Sequence, residues 1–411
     1  MIKFEKFTLS NGLTVIVHED MTTPLVAMNI LYKVGARDEH PDQTGFAHLF
    51  EHLMFGGSIN IPDFDEPLQI AGGENNAFTN NDITNYYLTI PEQNLETGFW
   101  LESDRMMSLA FTDKSLEVQR SVVIEEFKQR YLNQPYGDVW LELRPLAYKV
   151  HPYQWATIGK EIAHIENATL EDVKAFFKKW YAPNNAILSI AGNCTVERAK
   201  ELCEKWFAPI PAANIPPRKL PAEPVQQEKR ILELHKDVPS SQLYMAWHCC
   251  ARSDKEFYAT DLLSDIFSRG KSARLYQRLV KDNNYFTDIN AYMMGDLDKS
   301  LFVVEAKLVK GITMEFAEKV IKEEIEKVKQ EITERELKKV QNKAEATFEF
   351  SEMGVANKSL NLAYFELLGD ANDCNKQAQY YHAVTVEQIR EVAKAILTEE
   401  NCSVLRYHSN N

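Results

Sequence analysis

Thr44-Gly45-Phe46-Ala47-His48-Leu49-Phe50-Glu51-His52-Leu53-Met54-Phe55 is a run of helix formers that follows a glycine and stops at Gly56-Gly57, which predicts one short helix. His48 and His52 stand at i and i+4. That spacing sets both imidazoles on one helical face, close enough to hold a single ion. Glu51 is one step before the second histidine, so its carboxylate borders the same face and reaches a water on the metal. The pentapeptide alone is weak evidence, since a surface helix with two satisfied histidines carries the same residue types.

A catalytic zinc site takes three protein ligands, commonly two His and one carboxylate, and keeps a fourth position open. The candidate third ligand lies in Ser121-Val122-Val123-Ile124-Glu125-Glu126-Phe127, within a helical pattern from about Ser115 to Tyr131. Adjacent helix positions point about 100° apart, so Glu125 and Glu126 cannot both face the ion. Periodicity does not choose between them. HxxEH followed by a Val-Val-Ile-Glu-Glu helix resembles the pitrilysin or insulinase family of inverted-zincin metallopeptidases. The resemblance implies that Glu126 is the third ligand and that each chain holds one Zn²⁺. It also implies that Glu51 is the general base of an endopeptidase acting on peptides or small unfolded polypeptides. Members of that family often carry a further glutamate where this chain has Gln119, so the supporting carboxylate is absent or comes from Glu117.

A chain of 411 residues is too long for one ordinary core. A net charge of -14 argues against nucleic acid or an anionic membrane as partner. Neither a signal peptide nor an apolar span is read in the sequence as given, which with six irregularly spaced cysteines leads us to expect a cytoplasmic protein with reduced core thiols.

In chain order, Phe4 to Glu19 reads as a hairpin about the turn Ser10-Asn11-Gly12, Pro24 to Val34 as a buried strand, and Glu74 to Ile90 as a strand pair. The first half of that pair is polar, as suits an open edge that accepts another backbone. The resemblance implies that Asn76, Ala77, Phe78 and Thr79, with Phe55, bind extended substrate. A proline run between Ala208 and Gln227 reads as a linker. Thr385 to Leu405 repeats the helix-strand pattern of Thr169 to Ser189, which points to an internal duplication. These patterns predict an α+β chain of two homologous α/β domains, each a mostly antiparallel sheet packed with helices. Residues 1–210 form the metal-bearing domain, 211–228 the linker and 229–411 the domain without metal ligands.

Relatives of this kind carry an Arg and a Tyr in the later half that hold the substrate carbonyl. The matching places here are Asn283 and Thr287, so the pair is missing unless Arg278 or Tyr285 substitutes. The resemblance therefore implies one half of a dimeric clamshell, a heterodimer with a similar subunit that supplies the Arg/Tyr pair, with a homodimer as the alternative. A non-catalytic assembly subunit of the same fold, or a metal-dependent hydrolase of a non-peptide substrate, shares many of these features.

Overall fold

The computed structural model describes residues 1–410. In the first half, β1 (Glu5–Thr8), β2 (Thr14–Glu19), β3 (Leu25–Tyr32), β4 (Glu74–Thr79), β5 (Thr84–Pro91) and β6 (Ala186–Gly192) form one sheet in the order β1-β2-β6-β3-β5-β4. In the second half, β7 (Arg230–Lys236), β8 (Gln242–His248), β9 (Phe286–Met293), β10 (Leu301–Leu308) and β11 (Cys402–Ser409) form another in the order β7-β11-β8-β10-β9. Each sheet has one parallel pair, β2 with β6 and β7 with β11, and is otherwise antiparallel. The orders superimpose once β1 is set aside, with β4 and β9 as equivalent edges. The duplication read from the Thr-capped helices is therefore a duplication of the whole sheet. Thr169 caps Leu170–Trp180 ahead of β6 as Thr385 caps Val386–Ile396 ahead of β11, each by accepting a backbone N–H of the first turn.

The compact units are not continuous in sequence. One comprises residues 1–129, 155–220 and 349–376, the other 130–154, 221–348 and 377–411. A single cut through the proline run misses the two segments that cross it. The reason lies in the strands. Along β8, Leu243, Met245 and Trp247 enter one core and Tyr244 and Ala246 another, so both faces of the sheet need apolar cover. Val139–Ala147, from the first half of the chain, supplies Val139, Leu143 and Ala147 to the second of those cores. In the other unit all seven residues of β6 are buried, and Val355–Leu368, from the second half, packs on β3 and β6. Ser359 of that helix donates its hydroxyl to the Ser189 carbonyl at 2.8 Å.

The Leu9 N–H bonds the Leu13 carbonyl at 3.0 Å, so the β1–β2 turn is Ser10-Asn11-Gly12, as expected. Within it Asn11 is drawn inward, its amide donating to the carbonyls of Phe207 and Ile210 at 2.8 and 2.9 Å. All six cysteines are free. No described helix is long and apolar enough to cross a membrane.

Candidate metal centre

The predicted helix forms over Phe46–Leu53. Phe46, Ala47, Leu49, Phe50 and Leu53 are buried, which leaves His48, Glu51 and His52 on the half-buried face. Phe50 anchors the buried side, its ring stacked on Phe176 at 4.9 Å and Tyr181 at 5.0 Å. Gly45 caps the helix at φ 89°, and a Cβ there would meet the Ile158 carbonyl oxygen at 2.6 Å, so only glycine fits.

One residue that sequence reading missed fixes the start of this helix. Glu39, buried, accepts the Gly45 N–H at 2.9 Å and the Ala47 N–H at 2.8 Å, satisfying donors that a helix N-terminus leaves open. The Trp155 indole N–H donates to the same carboxylate at 3.1 Å. Burial pushes the Glu39 carboxyl up to about 8, although all three donors pull the other way.

The second helix runs over Asp113–Phe127, capped by Thr112. It buries Leu116, Val123 and Phe127, which turns Glu126 toward the histidines and Glu125 to the surface, where Lys128 meets it at 2.8 Å. Glu126 Oε2 lies 3.6 Å from His48 Nε2 and 3.3 Å from His52 Nε2. These separations exceed an ordinary N–H···O hydrogen bond of about 2.7–3.2 Å. They match the edge of a zinc tetrahedron, where ligand bonds of about 2.0–2.2 Å set donor atoms roughly 3.3–3.5 Å apart. The imidazoles stand edge to face, with centroids 4.9 Å apart. Two imidazoles and one carboxylate are also the ligand types zinc takes in hydrolytic sites. The residues present therefore fit the ion.

Glu51 sits beside this cluster and next to Thr79 of β4. Burial pushes its carboxyl above the usual range. Asn76, Ala77, Phe78 and Thr79 all lie on β4, the sheet edge, whose one strand partner is β5. The Ala77 N–H goes to the Asn76 side chain at 2.8 Å and not to β5, which marks it as an outward donor. Phe55 packs edge-on to Phe64 at 5.6 Å, beside the guanidinium of buried Arg105 at 5.2 Å. Arg105 is itself paired with Glu102 at 2.6 Å, both 1% exposed. Glu117 pairs with Arg120 at 2.6 Å and is 63% exposed, so it is committed at the surface, while Gln119 lies against Gly56.

In the second unit, Arg278 leans to Glu324 at 3.4 Å, and Tyr285 packs on Phe316 at 4.9 Å. Both substitutes for the missing pair are therefore engaged in their own unit.

A duplicated α+β chain with HxxEH on one helix and a distant glutamate brought to it by another is the architecture of the inverted-zincin metallopeptidases. The family description "Insulinase (Peptidase family M16)" matches residues 14–152, and "Peptidase M16 inactive domain" matches residues 167–344. Zinc protease PqqE of Helicobacter pylori is 33% identical over 355 residues, covering 84% of this chain and 79% of that protein. A crystal structure of a protease from Helicobacter pylori superimposes with a TM-score of 0.93 at 30% identity, over 99% of this chain and 100% of that one. Pitrilysin, at 17% identity and a TM-score of 0.78, shares the fold, and this chain covers 45% of it. The chain belongs to peptidase family M16, and its named relatives include zinc proteases.

Proposed function

We propose that the chain is a zinc-dependent endopeptidase in which His48, His52 and Glu126 hold one Zn²⁺ and Glu51 is the general base. The observation that carries this reading is the separation of Glu126 Oε2 from the two Nε2 atoms, 3.6 and 3.3 Å, on helices whose other faces are fixed by burial. Bound there, zinc supplies a Lewis acid that polarises the scissile carbonyl and acidifies water. Glu51 takes the proton from the attacking water and delivers it to the leaving amine. That carboxylate lies next to Thr79 of β4, and β4 offers its free edge to an extended peptide. Backbone pairing supplies affinity, which makes sequence preference broad. Asn76 to Thr79 position the substrate strand, and Phe55 shapes the adjoining wall.

The working form is a dimer with a similar subunit. Three features support this: the half-length match to pitrilysin, Asn283 and Thr287 at the Arg/Tyr places, and the engagement of Arg278 and Tyr285 elsewhere. A heterodimer in which the partner brings the pair is favoured, because an unassisted carbonyl loses a transition-state donor. Digestion of a mixed peptide pool by wild type and Glu51→Gln, with and without such a partner, tests the proposal. Cleavage lost in the variant with zinc retained supports it, and equal cleavage by both rejects it.

A further inference from the structure

β7 is the edge of the second sheet and runs parallel to β11, with His235 opposite His408 and Glu233 opposite Arg406. Glu233 and His235 are two residues apart, so both project from the same face of the strand. They are exposed. Across from them the His235 and His408 rings stack at 8° with centroids 4.5 Å apart. His408 Nε2 is buried and has no hydrogen-bond partner, and the Glu233 Oε2 it faces at 3.9 Å is beyond hydrogen-bond reach. A buried nitrogen left this way is unfavourable, and a cation in front of it relieves the loss. One donor atom from each of Glu233, His235 and His408 falls within 4.8 Å of the others.

We propose that Glu233, His235 and His408 form a second transition-metal site, binding Zn²⁺ and tying the edge strand to β11. The carboxylate is divided for this purpose. Arg406 takes Glu233 Oε1 at 2.8 Å, and Oε2 remains toward His408. The Arg406 charge is offset by Glu318 at 3.0 Å and Glu315 at 3.2 Å, so it does not leave the cluster net positive. One ring nitrogen of His235 already lies within 4.8 Å of His408 and Glu233, and the exposed side chain at the sheet edge has room to turn it toward the ion. Glu233 closes by about half an ångström to reach a tetrahedral spacing. Two imidazoles select zinc and its transition-metal neighbours over Ca²⁺ and Mg²⁺, which take oxygen ligands.

Native mass spectrometry of the full-length chain equilibrated with Zn²⁺ tests this independently of peptidase activity. Wild type is expected to take two ions and Glu126→Gln one. Adding His408→Gln to Glu126→Gln removes the last ion, and the exposed substitution His235→Gln does the same, which separates lost ligation from lost folding. Retention of an ion by Glu126→Gln/His235→Gln with folding intact overturns the second site. A wild type that takes a single ion lost in Glu126→Gln overturns it as well, and leaves the first centre standing.

Discussion

Glu39 accepts the backbone N–H of Ala47 at 2.8 Å, and Ala47 immediately precedes His48. The carboxylate therefore sets the start of the helix on which both histidines ride, without touching either ring. Glu39→Ala leaves the Gly45 and Ala47 N–H groups without their acceptor, while the Trp155 indole keeps the Ala36 carbonyl at 3.0 Å. A loss of about 3 kcal/mol is expected, at roughly 1–3 kcal/mol for a buried group left unsatisfied. The urea midpoint of the zinc-free protein measures it, and a change below about 0.5 kcal/mol would place the helix start under other control.

The same residue makes stability depend on pH. Its carboxyl rises from the ordinary 4.5 to about 8 in the folded state. A raised acid pKa means that the native state binds the proton more tightly than the unfolded one. Its stabilisation is full below 4.5 and is lost as pH rises toward about 8. Relative to Glu39→Gln, which does not titrate, wild type should lose stability steadily across that window. Paired urea titrations at several pH values check this, and a constant difference contradicts it.

Glu125 and Glu126 are neighbours with opposite fates. Glu126→Ala should abolish tight zinc binding at the His48/His52 centre. Glu125→Ala, which loses only an exposed pair with Lys128, should change stability by less than about 1 kcal/mol and leave zinc content unchanged. Metal analysis of both variants separates them. The reverse pattern would reassign the ligand.

Ala77→Pro removes the outward donor of β4, and an edge strand tolerates proline. Loss of one peptide hydrogen bond predicts a KM raised about 2–10-fold with zinc content preserved. Unchanged KM for extended peptides would remove β4 from substrate binding.

Much of the site was legible because its signals are local. HxxEH needs only helical spacing, and its flanking glycine marks the helix start. The edge character of Asn76 to Thr79 shows as polarity in a strand. Glu126 was not separable from Glu125 by periodicity; in the structure the burial of Val123 and Phe127 makes the choice. Glu39 was invisible because its acceptor role spans a loop and follows no capping-box spacing. The segments 130–154 and 349–376 were assigned to the wrong sides of the linker for a related reason. Proline content marks where a chain is extended, while the apolar faces of β6 and β8 decide which helix returns to cover them.

The central claim is that His48, His52 and Glu126 converge on one ion. Anomalous diffraction at the zinc edge from zinc-loaded crystals tests it most directly. The account predicts a peak about 2.0–2.2 Å from both Nε2 atoms and one Glu126 carboxylate oxygen. A zinc-loaded protein with no peak there, or with Glu126 turned away from it, would contradict the account.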